Sequence, residues 1–321
     1  MTNLEKYTRL VEEAVANFSL PQDPNNLYDP LRYFMTLGGK RMRPILTLMA
    51  TEAFGAQAQE GIQAALAVEL FHNFSLIHDD IMDNAPLRRA QATVHEKWNS
   101  NIAILSGDVL LVKAYQCLAS YEPSTLKALF EVFNQTAIEV CEGQQMDMDF
   151  EQRSNVSEAE YIEMIRLKTS VLLGCALKMG AIIGGANAQS SAHIYQFGVQ
   201  LGLAFQIQDD LLDLFGESAA VGKQIGGDVL ANKKTLLSIA ANSLANERQK
   251  VELVKLNEIQ DPELKVKFAQ DLYTQIGAKA YCQNQMETFH SSALQALDEL
   301  QNISSKTPFL ELAAFLLHRN H

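Results

Sequence analysis

Three aspartates end a mostly apolar stretch that begins at Phe71. Asp79 and Asp83 are four residues apart, so on a helix they project from one face, with Asp80 beside them. Like charges at a helix end repel one another, so the cluster is most easily explained by a bound cation, and carboxylate oxygens suit a hard ion such as Mg²⁺. The alternative for a single cluster of this kind is an exposed, solvated helix end.

A second cluster of the same form follows Gln206 and consists of Asp209, Asp210 and Asp213. Two such clusters, each at the end of an apolar helix, favour the metal interpretation. If they face each other across one cavity, divalent ions between them would bind a polyanion, and a diphosphate is the natural candidate. Metal ions also stabilise diphosphate as a leaving group. The sequence contains no G-x-S-x-G and no G-x-x-x-x-G-K-[ST] motif, which argues against triad hydrolysis and ordinary nucleotide chemistry.

Basic residues accompany both clusters. The segment from Gly38 to Pro44 places three of them between a Gly-Gly pair and the start of a helix, where backbone amides and cations together form an anion site. Arg88 and Arg89 follow the first cluster and could serve two different anionic ligands. Further lysines lie near the second cluster, namely Lys168, Lys223, Lys233 and Lys234. Taken singly, the Gly38–Pro44 segment is equally compatible with a solvated basic loop, and each of the lysines is more often a surface residue.

The elements that must position these residues are helices. Apolar residues recur at spacings of three and four almost throughout, and alternating β-branched runs are absent, which predicts an all-α fold. The first cluster ends a helix that begins near Gln59, and a loop follows over residues 84–93. A capping box at Ser157 begins a helix that should run to about Ile183. The second cluster lies on a helix over about 191–215, followed by a glycine-rich loop over 216–232.

Length and composition place further bounds on the protein. The 321 residues would allow about two domains, but no linker or shift in composition marks a boundary, so we expect one all-α domain over residues 1–321. The net charge of −12 argues against nucleic acid or an anionic membrane surface as the main partner. The four cysteines lack CxxC spacing and lie in apolar segments, which indicates reduced core residues of a cytoplasmic protein.

Neither a secretion signal nor a membrane anchor is expected. The first residues contain no basic region followed by an apolar run. The most apolar window, Val171 to Ala186, is interrupted by Lys178 and is too short to span a bilayer.

These motifs resemble the trans-type isoprenyl diphosphate synthases, or polyprenyl synthetases, and the resemblance extends from about Asp29 to the C-terminal helices. It rests on motifs that occur in the family's order: Gly38-Gly39-Lys40-Arg41-Met42-Arg43-Pro44, Asp79-Asp80-Ile81-Met82-Asp83 with Arg88-Arg89, Gly143-Gln144 with Asp147, Lys168-Thr169, Phe205-Gln206 with Asp209-Asp210-Leu211-Leu212-Asp213, and Gly222-Lys223 with Asp228 and Lys233. The resemblance implies an all-α homodimer with a central cavity in each subunit. It also implies head-to-tail condensation of isopentenyl diphosphate with an allylic diphosphate.

The same resemblance assigns roles to individual residues. Three Mg²⁺ ions would be held by Asp79, Asp83 and Asp209, with support from Asp80, Asp210 and Asp213. The allylic diphosphate would also be bound by Arg88, Lys168, Lys223 and Lys233. The isopentenyl diphosphate would be bound by Lys40, Arg43, His72 and Arg89. Thr169 and Gln206 would stabilise the allylic carbocation through their dipoles.

The chain departs from the family pattern at two places. Ala90 and Ala92 occupy positions where the family usually has Gly and Pro, which puts the stiffness of the loop after the arginines in question. Asn232 replaces a usual Gly, and because Asn tolerates left-handed backbone the turn can be kept.

The length of the product is predicted from the residues that precede Asp79. Phe74 lies five positions before it, Ser75 four and Phe71 eight. In the resemblance, an aromatic residue at the fifth position with a small residue at the fourth is typical of geranylgeranyl (C20) diphosphate synthases, with farnesyl (C15) diphosphate as the second choice. The alternative is that Phe71 and Phe74 are ordinary core residues.

Two other classes of protein share part of this pattern. A class I terpene cyclase has the all-α fold and the first aspartate motif, but it needs no isopentenyl diphosphate site and usually carries an Asn/Ser/Glu second motif. A non-catalytic regulatory subunit typically lacks one aspartate motif. Here both aspartate motifs and the Gly38–Pro44 segment are present.

Overall fold

The computed structural model describes residues 2–216 and 225–317, and helices make up nearly all of this part of the chain. The first half contains α1 (Thr2–Ala16), α2 (Asn25–Thr36), α3 (Met42–Ala53), a 3₁₀ turn (Ala58–Gly61), α4 (Ile62–Met82), β1 (Leu87–Arg88), β2 (Gln91–Ala92), α5 (Val94–Lys97), α6 (Ser100–Leu118) and α7 (Pro123–Gln152). The second half contains α8 (Glu158–Ile165), a π-helical turn (Arg166–Ser170), α9 (Val171–Ile183), α10 (Ala188–Phe215), α11 (Gly227–Leu230), α12 (Leu236–Leu244), α13 (Glu247–Glu258), α14 (Pro262–Ile276), α15 (Ala278–Asp298) and α16 (Thr307–Leu317). The predicted all-α fold is confirmed.

The chain divides into two compact units. Unit 1 comprises Met1–Gln135, Leu172–Tyr195 and Leu300–Pro308, and unit 2 comprises Thr136–Val171, Gln196–Glu299 and Phe309–His321. That residues 1–321 form a single domain stays a prediction.

In unit 1, the main helix–helix contact joins α4 to α6, and α3 and α1 also pack against α4. The buried face of α4 is rich in alanine at Ala64, Ala65 and Ala67, which lets neighbouring helices approach closely. Among the described residues, only α6 is long and apolar enough to cross a membrane by length and composition. In the structure α6 packs against α2, α4 and α5.

In unit 2, close helix packing depends on two glycines. A Cβ at Gly143 of α7 would lie 2.3 Å from the Lys168 backbone nitrogen, and a Cβ at Gly202 of α10 would lie 2.8 Å from the Ser170 Cα. Both contacts fall on the π-helical turn, so only glycine at these two positions leaves the turn enough room. Helices α12 to α15 form the rest of the packed layer.

The structure departs from the predicted elements in two places that matter for the site. The predicted loop over 84–93 contains a hairpin in which Leu87 pairs with Ala92 and Arg88 with Gln91. The predicted helix from the capping box to Ile183 is interrupted by the π-helical turn. The capping box itself is confirmed, since Ser157 Oγ accepts from the Glu160 N–H and Glu160 Oε2 accepts from the Ser157 N–H.

Candidate active site

The first aspartate motif occupies the C-terminal end of α4. Asp83 caps the helix, and its N–H donates to the Asp79 carbonyl at 2.9 Å. Carboxylates at this end of a helix add to the negative end of the helix dipole, which is unfavourable without a cation. The arrangement therefore fits the sequence-based assignment of Asp79 and Asp83 to a metal.

Asp80 differs from its neighbours because it is buried, with 1% of its surface exposed. Arg88 Nε donates to both of its carboxylate oxygens at 2.9 Å, and Arg88 Nη2 lies 2.8 Å from Oδ1. Burial raises the pKa of Asp80, while the hydrogen bond and charge of Arg88 act in the opposite direction. Arg88, which the resemblance assigned to the allylic diphosphate, is thus held by the aspartate motif itself.

The hairpin after α4 fixes the two arginines. Its turn residues, Arg89 and Ala90, have φ of 52° and 61°. Positive φ at both central positions is the hairpin geometry whose twist matches the flanking strands. Ala90 therefore adopts the backbone for which the family's usual glycine is suited. Tyr33 Oη secures the second strand by donating to the Ala92 carbonyl at 2.7 Å.

A group of arginines surrounds His72 in unit 1; we call Arg41, Arg43, Arg88 and Arg89 the arginine cluster. Arg43 Nη1 lies 3.2 Å from His72 Nε2, and because a guanidinium only donates, this ring nitrogen is the acceptor and carries no proton. Burial and the charges of all four arginines hold the pKa of His72 well below its ordinary value. Burial also lowers the pKa of Arg43 to about 10. A buried cationic group with a neutral imidazole has the charge and the hydrogen-bond donors that an anion requires.

Glu69 is a member of this site that the sequence reasoning missed. It lies on α4 with 3% of its surface exposed, and Arg41 Nη1 donates to its carboxylate. Arg41 Nη2 donates to the Met35 carbonyl at 2.8 Å. Burial raises the pKa of Glu69, and the charges of Arg41, Arg43 and Arg89 oppose that rise. The available signal was a single acidic residue within the apolar run from Ala64 to Phe71.

The Gly38–Gly39 pair belongs to the same site. Both residues have positive φ, 77° and 131°, and Lys40 after them is exposed. The structure thus places Lys40, Arg43, His72 and Arg89, the four residues assigned to isopentenyl diphosphate, in the same unit. Arg43 and His72 are in contact with each other.

The residues predicted to set product length lie one to two turns before Asp79. Phe74 is half-buried, whereas Phe71 is 1% exposed. The ring centroids of Phe71 and Phe74 are 5.6 Å apart, and Phe133 of α7 packs on the other side of Phe71 at 5.4 Å. Ser75 Oγ donates to the His72 carbonyl at 2.9 Å, so the short side chain next to Phe74 in the sequence is turned toward its own helix backbone.

The second aspartate motif ends α10 in unit 2. Asp210 is 5% exposed and accepts from two side chains, Tyr161 Oη and Gln206 Nε2, the latter at 3.4 Å. Burial raises the pKa of Asp210 to about 7, against the effect of the Tyr161 hydrogen bond. Thr169 Oγ1 in turn donates to Gln206 Oε1 at 3.4 Å. Tyr161 is a second residue that the sequence analysis did not single out, and a lone tyrosine on a helix gives no signal for it.

The π-helical turn presents Lys168 and Thr169 beside this motif. Lys168 Nζ lies 2.6 Å from Asp147 Oδ2 on α7. Such turns within α-helices are frequent at functional sites because they re-aim side chains. Asp147 and Gly143 lie on one face of α7, so the glycine admits the turn and the aspartate pairs with its lysine.

The loop after α10 is described from residue 225 onward, so Lys223 lies outside the described residues. Asp213 contacts the beginning of the described part of this loop, where its Oδ2 accepts from the Asp228 N–H at 3.0 Å. Lys233 Nζ is 4.0 Å from Asp228 Oδ1. Asn232 has φ of 53°, the left-handed backbone that the sequence analysis expected it to tolerate.

A cavity of about 370 Å³ lies within unit 2. Its lining brings together five of the predicted site residues, Lys168, Thr169, Gln206, Asp210 and Lys233, with Asp147, Tyr161 and Asp228. In the described part of the chain, no three His, Cys, Asp or Glu side chains converge to form a complete metal site.

Comparison with known proteins agrees with this set of features. The polyprenyl synthetase family model matches residues 24–276. The geranylgeranyl diphosphate synthase of Methanosarcina mazei is 37% identical over 302 residues, which are 93% of this chain and 91% of that protein. A crystal structure of a geranylgeranyl pyrophosphate synthetase from Pyrococcus horikoshii has a TM-score of 0.92 and 36% identity, covering 99% of this chain and 98% of the other.

Another crystal structure of a geranylgeranyl pyrophosphate synthase has a TM-score of 0.90 and 42% identity, covering 99% of this chain and 98% of the other. The chain belongs to the polyprenyl synthetase family.

Proposed function

We propose that the protein condenses isopentenyl diphosphate head-to-tail with allylic diphosphates and that its main product is geranylgeranyl diphosphate. The arginine cluster around His72 carries this proposal, because it supplies cations for a second anion and none of its residues lines the cavity of the second aspartate motif. A terpene cyclase needs no such site. The names of the relatives and solved structures described above agree with a C20 product.

In the proposed reaction, the allylic C–O bond breaks and its electron pair leaves with the diphosphate. The double bond of isopentenyl diphosphate then attacks the allylic carbocation, and the departed diphosphate accepts the proton that is lost. Mg²⁺ bound to Asp79, Asp83 and Asp209, with three ions expected per site, would supply Lewis-acid stabilisation of the leaving diphosphate. The carboxylate chemistry of both motifs fits this ion.

The residues of the chain would divide the remaining work. Lys168 and Lys233 line the unit 2 cavity and would neutralise the allylic diphosphate, with Lys223 as a further candidate. Lys40, Arg43, His72 and Arg89 would bind isopentenyl diphosphate. The carbonyl oxygen of Gln206 and the hydroxyl of Thr169 would stabilise the carbocation. The neutral state of His72 lets it donate to a phosphate through Nδ1 while it accepts from Arg43.

We also propose a cytoplasmic homodimer without a stable membrane anchor. The exposed apolar residues Ile104, Leu105 and Val112 on α6 support the dimer, since 44%, 57% and 57% of their surfaces are exposed. A second copy of the chain would cover this face. Size-exclusion chromatography with light scattering tests this, and Leu105→Glu should give a monomer if the proposal is right.

The activity is tested by incubating the protein with Mg²⁺, isopentenyl diphosphate and dimethylallyl, geranyl or farnesyl diphosphate, and identifying the prenyl products. We expect C20 diphosphate from each primer. Diphosphate release without isopentenyl diphosphate would indicate a cyclase instead. No turnover in any mixture would indicate a regulatory subunit, and accumulation of C15 would contradict the predicted length.

A further inference from the structure

His78 lies between the predicted length-setting residue Phe74 and the first aspartate motif, and it has no role in the proposed reaction. It lies on α4 directly before Asp79, with 19% of its side chain exposed. Its ring packs edge-on against Phe74, with the centroids 4.7 Å apart and the ring planes at 63°. This is the closest ring of the aromatic pairs around Phe74 in the described residues, since Phe71 is 5.6 Å away.

The other side of the His78 ring is fixed to α6. Its Nε2 lies 3.1 Å from the Ile104 carbonyl oxygen, and because a carbonyl only accepts, Nε2 carries the proton and donates. Asp108 Oδ1 lies 3.8 Å from the same nitrogen. A Cβ at Gly107 would be 2.4 Å from Nε2, so the ring occupies the space that this glycine leaves open.

We propose that His78 is a positioning residue for product length, acting through Phe74. Its ring, seated at Gly107 and tied to Ile104, holds the Phe74 ring in the rotamer that closes the path toward Phe71. This inference rests on the proposed function and on Phe74 as the residue that ends chain growth. It adds a contact from α6 that neither the motifs nor the family resemblance assigns.

The physical reason is that Phe74 is only half-buried and has few rings to fix it. Among the described residues, its aromatic pairs are those with His78 and Phe71. Losing one such pair changes the preference between rotamers by about twofold to twelvefold, since an aromatic pair contributes roughly 0.5–1.5 kcal/mol. A Phe74 ring that rotates away admits a chain one isoprene unit longer.

Three substitutions separate the two contacts of His78. His78→Phe keeps a ring against Phe74 but loses the hydrogen bond, His78→Gln keeps a donor for Ile104 but loses the ring, and His78→Ala loses both. Gly107→Ala displaces the ring from the α6 side without changing α4. We expect His78→Ala and Gly107→Ala to raise the ratio of C25 to C20 product about twofold to twelvefold. His78→Phe and His78→Gln should each restore part of the parent's ratio.

Tyr121→Phe is the matched control. Tyr121 Oη ties the opposite end of α4 by donating to the Glu60 carbonyl at 2.8 Å and accepting from the Ala64 N–H at 3.1 Å. Its loss weakens the attachment of the same helix without touching Phe74, so the product ratio should stay at the parent value.

The decisive readout is the product ratio, measured by mass spectrometry at equal substrate conversion, with the melting temperature recorded beside it. An unchanged ratio in His78→Ala and Gly107→Ala, whatever their rates or stability, would overturn the inference. A ratio that shifts equally in Tyr121→Phe would also overturn it, because any loosening of α4 would then suffice. Absence of prenyl products from the parent protein would refute the proposed function itself, which is a distinct result.

Discussion

The guanidinium of Arg89 lies against the backbone of Gly39. A Cβ added at Gly39 would be 2.7 Å from both Nη1 and Nη2. Two segments of the sequence that are far apart, the Gly38–Gly39 loop and the hairpin after the first aspartate motif, therefore meet at one contact. Gly39 also has φ of 131°, so a side chain at this position would be strained and would have to displace the Arg89 guanidinium.

Gly39→Ala should weaken binding of isopentenyl diphosphate by displacing Arg89. Losing a charged hydrogen-bonding group of this kind costs roughly 1.5–3 kcal/mol, so the KM for isopentenyl diphosphate should rise about tenfold to a hundredfold. The KM for the allylic diphosphate should change much less. Gly38→Ala is the control for positive φ, since its φ of 77° also strains an alanine, although less than the 131° of Gly39, and its Cβ would meet nothing within 4 Å. Equal increases in both variants would show that strain, and not Arg89, causes the effect.

Glu69→Gln should destabilise the protein by leaving Arg41 buried without its ion pair. Breaking a buried pair by removing one partner costs about 3–5 kcal/mol. The side chains of Arg41 and Glu69 are 9% and 5% exposed, so solvent compensates little. Urea unfolding measures the loss. The comparison variant is Glu52→Gln, whose partner Lys6 is 48% exposed, and it should lose less than about 1 kcal/mol. A similar loss in both variants would contradict this account.

Ala90→Gly should stabilise the hairpin that carries Arg88 and Arg89. A non-glycine residue in left-handed backbone costs about 1–2 kcal/mol. Glycine adds about 0.4–1 kcal/mol of unfolded-state entropy, so the net gain should be about 0.5–1 kcal/mol. Ala92→Gly, in the paired strand, should instead lose a similar amount. Thermal and urea unfolding test both signs, and a destabilised Ala90→Gly would refute the strain at this turn.

The lowered pKa of His72 should make the free energy of unfolding of the free enzyme depend on pH. Its pKa is lowered in the folded protein, so below about pH 6.5 the unfolded chain takes up a proton that the folded chain does not. Stability should therefore fall as pH falls, by up to about 1.4 kcal/mol per pH unit from this residue. His72→Asn should lose that part of the slope between pH 7 and 5. The buried carboxylates Glu69 and Asp80 have raised pKa values and contribute the opposite slope, which is why the difference between parent and variant is the quantity to measure.

The positions of the motifs on helix ends could be predicted from the sequence, because spacing alone places Asp79 with Asp83 and sets each motif after an apolar run. The contacts that complete the site could not. The ion pair of Arg41 with Glu69 joins residues 28 positions apart, and the hydrogen bond of Tyr161 to Asp210 spans 49. Such pairs depend on how helices pack, which local periodicity does not encode.

Two local elements, the hairpin after α4 and the π-helical turn, differ from the sequence-based prediction because packing overrides local propensity. The hairpin turn at Arg89 and Ala90 lacks the Asn-Gly or Asp-Gly signal by which such turns are recognised. The π-helical turn at Lys168 lies within a segment whose apolar spacing predicts a continuous helix. The turn is accommodated because Gly143 and Gly202, which contact it, have no side chains.

Phe74→Ala should lengthen the product from C20 to C25 or longer, because it removes the half-buried ring next to the reaction site. The chain should then stop at Phe71, which is 1% exposed and backed by Phe133 at 5.4 Å. Phe71→Ala alone should keep C20 as the main product, since Phe74 still lies ahead of it, but the loss of one of the rings against Phe74 should raise the C25 share. It should also destabilise the protein by about 3–5 kcal/mol. Phe74→Ala combined with Phe71→Ala should give products longer than those of Phe74→Ala alone. Chromatography of the dephosphorylated prenyl alcohols measures all three. An unchanged C20 product in Phe74→Ala would mean that both rings are ordinary core residues and that another element ends chain growth.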